Sequence, residues 1–275
     1  MLAFPALGST AAKVDRPYVE TSVARDLQAR MLITHEERGI MLARGPWGIG
    51  KTTAIDAFAA EQYYGVVVVK VEAGPKGGAS PNTILHLALE AMIRLAGYTD
   101  RALPKYSAWV ARRQLCQLME DYRQRTWEAG DEPLFTFIFD EAQYLSRDAI
   151  EMLRFWNDTD RTTTPFPVGL IFIGNNEFAL QDDGSGQSVI SGAVGSRALF
   201  TDSLDYADVS NDDLALFARS RGMTDAEAVK AFVGYFSGPR IRRDLRNVER
   251  LIAACKRRAN DQPITAQIVR SVLNP

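Results

Sequence analysis

Three short stretches of this 275-residue chain combine residue types at spacings suited to phosphate chemistry. The first is GPWGIGKTT, which matches G-x-x-x-x-G-K-[ST] from Gly45 to Thr52. From ordinary residue usage, a chance match in a chain of this length is on the order of one per cent. Glycines let backbone N–H groups turn inward around phosphate oxygens, and a helix that follows adds the positive end of its dipole. Gly45, Pro46, Trp47, Gly48, Ile49, Gly50, Lys51, Thr52 and Thr53 are therefore the expected nucleotide-binding residues. Lys51 would reach the β- and γ-phosphates of ATP, and the Thr52 hydroxyl would ligate Mg²⁺.

The second stretch is LFTFIFDEAQ, 134–143, an apolar run ending in Asp140-Glu141. In an open parallel sheet, ligands bind beyond the C-terminal strand ends. Asp140 there would hold the Mg²⁺ water shell and touch the nucleotide site, and Glu141 would polarise the attacking water as a general base. Alone, a strand ending in acids means little; about ninety residues after a phosphate loop it means much more. The third stretch, IFIGNNE, 171–177, runs an apolar strand into two amides. Asn175, or Asn176 beside it, would hydrogen-bond the γ-phosphate and the attacking water; the same residues also suit a turn or a helix cap.

Positioning these groups takes strands that alternate with helices. GIMLAR (39–44), GVVVVKVE (65–72), LFTFIFD (134–140), PVGLIFIG (167–174) and RALFTDSLDY (197–206) read as strands. Helices are expected over 18–37, after the glycine loop through 64, over 83–97, 107–128 and 147–158. Near-continuous apolar strands alternating with helices predict an α/β fold with a parallel sheet covered on both faces. From about residue 210 the pattern is wholly helical: 211–222, 224–238, 239–260 and 265–273, with Asn211 and Thr224 as N-caps and Gly222 and Gly238 as stops. The expected division is a loose N-terminal arm over 1–17, an α/β nucleotide-binding domain over 18–208 and a helical lid over 209–275.

Composition narrows the class. Hydrophobic residues make up 46% and charged residues 24%, which fits a soluble globular protein and excludes bulk disorder. No apolar run approaches the ~18 residues of a membrane span. The N-terminal stretch lacks a basic start before its apolar part, so no secretory signal is expected, and a cytoplasmic location is. Two cysteines, Cys116 and Cys255, read as free thiols. A net charge of −2 excludes coating of nucleic acid through bulk positive charge. The charge is unevenly spread: Asp202, Asp205, Asp208, Asp212 and Asp213 cluster within 199–213, while 240–258 is strongly basic. Such runs are solvated helix faces, or they order an assembly or contact a partner.

Taken together, GPWGIGKTT, FIFDEAQYLS, LIFIGNNE, SRALF and RRDLRNVERLI resemble the AAA+ ATPases of DNA transposition, the Mu B, TnsC and TniB-like family. The likeness runs from about residue 20 to the C-terminus. It implies the P-loop AAA+ fold, a five-stranded parallel sheet flanked by helices with a small C-terminal helical lid. It also implies head-to-tail rings or helical filaments around duplex DNA, with ATP between subunits. Arg197, in SRALF, stands where an arginine finger would reach the neighbouring subunit's γ-phosphate. Arg243, in the pattern R-x-L-x-N, stands where a lid arginine would sense nucleotide, with Arg240 and Arg242 as competitors. The family's resemblance places the adenine near Tyr18 to Val23.

Mu B carries an extra N-terminal helix-turn-helix segment that nothing before residue 18 here could form, so DNA contact is expected from the ATPase core. The loop AGPKGGASPN, 73–82, follows the second strand, and Lys76 is its candidate for a phosphate backbone, or else a solvated loop residue. Arg101 and Lys105 lie in the next loop. Phosphate contacts of this kind are sequence-tolerant and salt-sensitive. The implied function is an ATP-dependent regulator of transposition that assembles on double-stranded DNA and recruits a transposase, with a target-selector protein as a further partner. The alternative is a helicase-loader-type or other P-loop switch ATPase.

Overall fold

The computed structural model describes residues 18–61, 65–72, 78–97, 107–128, 134–158, 163–178, 190–238 and 241–273. Lys76, Arg101, Lys105 and Arg240, and the arm over 1–17, lie outside them. In chain order come α1 (Ser22–Glu36), β1 (Ile40–Arg44), α2 (Lys51–Ala60), β2 (Val66–Lys70), α3 (Pro81–Leu95) and α4 (Ala108–Glu128). These are followed by β3 (Thr136–Asp140), α5 (Arg147–Asn157), β4 (Gly169–Gly174), the short α6 (Gly192–Gly195) and β5 (Ala198–Ser203). The lid helices are α7 (Asn211–Ser220), α8 (Ala226–Phe236), α9 (Leu245–Ala259) and α10 (Ala266–Leu273).

The five strands pair in parallel in the order β2-β3-β4-β1-β5, as a covered parallel sheet requires. The three inner strands are the most buried, and β3 and β4 are buried at every position. Side chains alternate between faces with period two. Phe137, Phe139, Leu170 and Phe172 join the core with α3, α4 and α5, while Ile138, Ile171 and Ile173 join the core with α1 and α2. Aromatic packing fills the first face: Phe137 meets Trp156 edge-on at 5.2 Å, and Phe139 stacks on Phe172 at 5.3 Å. On the other face His35 Nδ1 lies 2.9 Å from Thr136 Oγ1, and burial pushes its imidazole below the usual range.

A third apolar cluster joins α7, α8, α9 and α10, and it also takes in Val23 of α1 and Ile49 of the glycine loop. The lid is therefore packed onto the loop it covers. A polar clasp adds to this. Asp213 accepts from the Ser22 N–H at 2.7 Å and the Ser22 hydroxyl at 2.5 Å, and also from the Ser210 N–H and hydroxyl. Burial alone would raise the Asp213 carboxyl, but these bonds outweigh it and hold it below the ordinary carboxylate value.

Several expected boundaries move, each for a local reason. The N-cap of α7 is Ser210 rather than Asn211, because Ser210 and Asp213 form a reciprocal capping box. Asp225, not Thr224, caps α8 by accepting from the Glu227 N–H. Helix α3 starts inside the stretch read as a loop, with Ser80 accepting from the Thr83 N–H and Pro81 in the first turn. Helix α9 begins at Leu245 rather than at 239, with Asp244 as its cap. Cys116 and Cys255 are both free thiols. Among the described residues, no helix is long and apolar enough to cross a membrane.

Candidate functional site: a phosphate loop under a helical lid

The glycine loop leaves the C-terminal end of β1 beside that of β4, where the Gly45 N–H donates to the Gly174 carbonyl at 3.2 Å. Gly48 (φ 78°) and Gly50 (φ 96°) take left-handed conformations that an L side chain resists. At Gly48 a Cβ would also lie 1.9 Å from Asp244 Oδ1, so a side chain there would displace the Asp244 carboxylate. Gly50 is the N-cap of α2 and brings no side-chain acceptor. The first-turn amides of α2 are thus left for an anion.

Lys51 Nζ donates to the carbonyls of Gly45 and Pro46, at 2.8 Å each, and so sits folded back across the loop. Burial lowers its ammonium to about 8, against the opposing pull of Glu141 and Asp140 and with help from Arg246. The Thr52 hydroxyl donates to Asp140 Oδ2 at 2.9 Å. Asp140 is 3% exposed, and burial raises its carboxyl above the usual range despite the Thr52 bond. A hydroxyl and a dehydrated carboxylate in contact form a hard oxygen donor pair, which fits a divalent cation held partly through its waters. Glu141 follows in a left-handed conformation (φ 60°, ψ 41°), and its carboxylate accepts from Gln143 Nε2 at 2.6 Å.

Lys51, Thr52 and Glu141 open onto one cavity of about 490 Å³. Its sheet-side lining includes Trp47, Gly48, Gly50, Lys51, Thr52, Thr53 and Glu141. Its far wall carries Tyr18, Val19 and Thr21, so the segment expected beside the adenine lies at the cavity. The lid adds Phe217, Arg221, Leu245, Arg246 and Glu249. Arg221 pairs with Glu249 at 3.3 Å and lies over the Phe217 ring at 4.7 Å. The lid also grips the loop backbone, the Leu245 N–H donating to the Gly48 carbonyl at 2.8 Å; just ahead of the lid, the Tyr206 hydroxyl donates to the Trp47 carbonyl at 3.0 Å.

Other expected site residues lie elsewhere. The Arg243 guanidinium donates to the Val209 carbonyl and to Asn211 Oδ1, so it braces the junction ahead of α7 and is not part of the cavity lining. The cause is the late start of α9: Arg243 precedes the cap, and Arg246, in the first turn, faces the cavity instead. Asn175 is buried at the end of β4, but its side chain closes a turn on Glu177, accepting from the Glu177 N–H at 2.8 Å. Arg197 sits just before β5, at the N-terminal end of a parallel strand and so away from the chain's own phosphate loop. It is half exposed and pairs with Asp158 at 3.5 Å. Residues absent from the expected set are Arg246, Arg221, Glu249 and Gln143. The Gln that follows the acid pair was the visible signal for the last.

A parallel sheet with a glycine loop after β1 and an acid pair after β3 defines a P-loop nucleotide-binding protein of the ATPase class. A family profile described as an AAA domain matches residues 34–181. That is more than half of the chain, and the protein belongs to the AAA-domain family and is an ATPase. No curated protein matches the chain in sequence. Solved structures share its fold. Cdc6p from Pyrobaculum aerophilum is similar with a TM-score of 0.56 and 14% identity, over 97% of this chain and 69% of that one. Drosophila ORC bound to DNA is similar with a TM-score of 0.54 and 16% identity, over 98% and 63%. A mutant of Thermotoga maritima RuvB gives a TM-score of 0.50 and 14% identity, over 94% and 72%.

Proposed function

We propose that this ATPase is a regulator of DNA transposition, assembling head to tail on double-stranded DNA when loaded with ATP and Mg²⁺ and recruiting a transposase. The observation that carries the nucleotide part is that Lys51, Thr52, Glu141 and Arg246 line one cavity, with Asp140 bonded to the Thr52 hydroxyl beside it. The transposition part rests on the resemblance of GPWGIGKTT, FIFDEAQYLS, LIFIGNNE, SRALF and RRDLRNVERLI to that family. The structural likeness to Drosophila ORC bound to DNA favours a DNA partner.

In this mechanism Lys51 leaves the Gly45 and Pro46 carbonyls for the β- and γ-phosphates, where its charge is better matched. Thr52 and Asp140 would hold Mg²⁺, which would neutralise phosphate charge. Glu141 orients and polarises the water that attacks the γ-phosphate. Arg246 supplies the lid's positive charge to the phosphates, the role expected of Arg243. Asn175 contributes a γ-phosphate contact only by releasing Glu177. Arg197 reaches the neighbour's γ-phosphate after releasing Asp158, which is consistent with its exposure away from its own loop. Lys76, Arg101 and Lys105 supply sequence-tolerant contacts to DNA phosphates. A target-selector protein is a further partner, and the protein works in the cytoplasm.

Sedimentation with duplex DNA, with and without a non-hydrolysable ATP analogue, tests this reading. Analogue-dependent co-sedimentation is expected, and Glu141→Gln should give assemblies that persist with ATP itself. Indifference to DNA in both conditions sinks the DNA-regulator function and leaves a P-loop switch. A helicase-loader role is separated by adding transposase: stimulation of strand transfer supports the first reading.

A further inference from the structure

We propose that Gln143 positions Glu141 for water activation by tying its carboxylate to the end of β4, an inference that rests on Glu141 being the water-orienting acid. Glu141 has a long side chain on a left-handed turn, and such a side chain samples several rotamers unless something restrains it. Gln143 supplies that restraint, with its Nε2 donating to Glu141 Oε2 at 2.6 Å. Gln143 is 1% exposed, and its Oε1 accepts from the Asn175 backbone N–H at 3.0 Å. That backbone group can only donate. The amide oxygen must therefore face Asn175, and the amide NH₂ must face Glu141. The direction of the bond to the catalytic acid is thus dictated by the backbone of the neighbouring strand.

The support for the bridge is rigid at both ends. Strands β3 and β4 pair directly, so their C-terminal ends lie side by side. The 3-10 turn Ala142–Tyr144 that carries Gln143 is pinned from the other side. There the Ala79 N–H donates to the Tyr144 carbonyl at 2.6 Å, and the Ser146 N–H to the Ala79 carbonyl at 3.2 Å. The position asks for a side chain that accepts on one side and donates on the other. Glutamine meets both demands; glutamate meets only the first, and methionine neither.

Steady-state ATP turnover and the affinity for a fluorescent ATP analogue, measured on the full chain, test the proposal. Gln143→Glu keeps an oxygen for the Asn175 N–H but sets a second carboxylate against Glu141. The expected result is a fall in kcat of about tenfold to a hundredfold, with KM and analogue affinity unchanged, as when a reacting group is misplaced by about 1 Å. Gln143→Met keeps the volume without either bond, and it gives the same kcat loss if the Glu variant fails to fold. A folded variant that turns over at the parent rate overturns the proposal. So does a kcat loss matched by an equal loss of nucleotide affinity, which marks a merely structural role. Glu141→Gln is the control: parent-rate turnover there overturns the reading of Glu141 itself, and the Gln143 proposal with it.

Discussion

The two walls of the cavity at the glycine loop are built by different means. On the sheet side, Asp140 is the last residue of β3, Glu141 is the next, and Lys51 and Thr52 open α2 directly after the glycine loop. Each is held by its own strand or loop, and a few neighbouring residues settle where it points. On the lid side, Arg221 caps the end of α7 while Arg246 and Glu249 come from α9, and they face the cavity because those helices pack through Val23, Ile49, Phe217 and Leu245. A small change in where α9 starts exchanges one arginine for another. The sheet wall is therefore local in origin and the lid wall is not. The two are joined by the Leu245–Gly48 bond.

The largest effect expected belongs to the sheet wall. Lys51→Ala should weaken ATP binding by about a hundredfold or more, measured by calorimetry, since charge-assisted bonds to several phosphate oxygens are lost. If Lys51→Ala bound ATP as the parent does, the cavity would not be the nucleotide site.

The lid wall is tested by a pair of variants. Arg246→Ala should lower ATP affinity by about tenfold, the scale of one charged hydrogen bond. Arg243→Ala should leave affinity unchanged and lower unfolding stability by about 1–2 kcal/mol, through the lost bonds to Val209 and Asn211. The reverse pattern would return the sensing role to Arg243 and erase the contrast between the walls.

The smallest effect is a pH dependence at their junction. In the free protein burial lowers the Lys51 ammonium to about 8. Bound phosphates favour the charged form, so the bound protein holds that proton to higher pH. Affinity is then flat below about pH 8 and falls by up to about tenfold for each unit above it. Arg246→Ala removes a cation that lowers this ammonium, so the fall should begin at a higher pH in that variant. An unchanged midpoint would show that the two walls do not communicate electrostatically.

Much of the sheet wall was legible because its signals are short-range. Five runs mark the five strands, with ends displaced by no more than three residues, and the motif places Lys51 and Thr52 where the structure has them. The acid pair is legible for the same reason: Asp140 ends a run buried at every position. Asn175 is a partial case. Its place at the strand end is right, yet its side chain satisfies Glu177 while its backbone N–H serves Gln143. An amide can bond its own turn or a ligand, and the residue type does not choose between them.

The amino-acid sequence by itself determined the order of the elements, the sheet-forming runs and the phosphate loop, because strand periodicity and glycine conformations act over a few residues. The tertiary structure alone decided the strand order β2-β3-β4-β1-β5, the cap at Asp244 that turns Arg246 rather than Arg243 to the cavity, and the Glu141–Gln143–Asn175 bridge. Those outcomes depend on which surfaces meet across long stretches of chain. Helix phase and side-chain partners are settled only when the cores on either side of the sheet, and the lid above the loop, are packed.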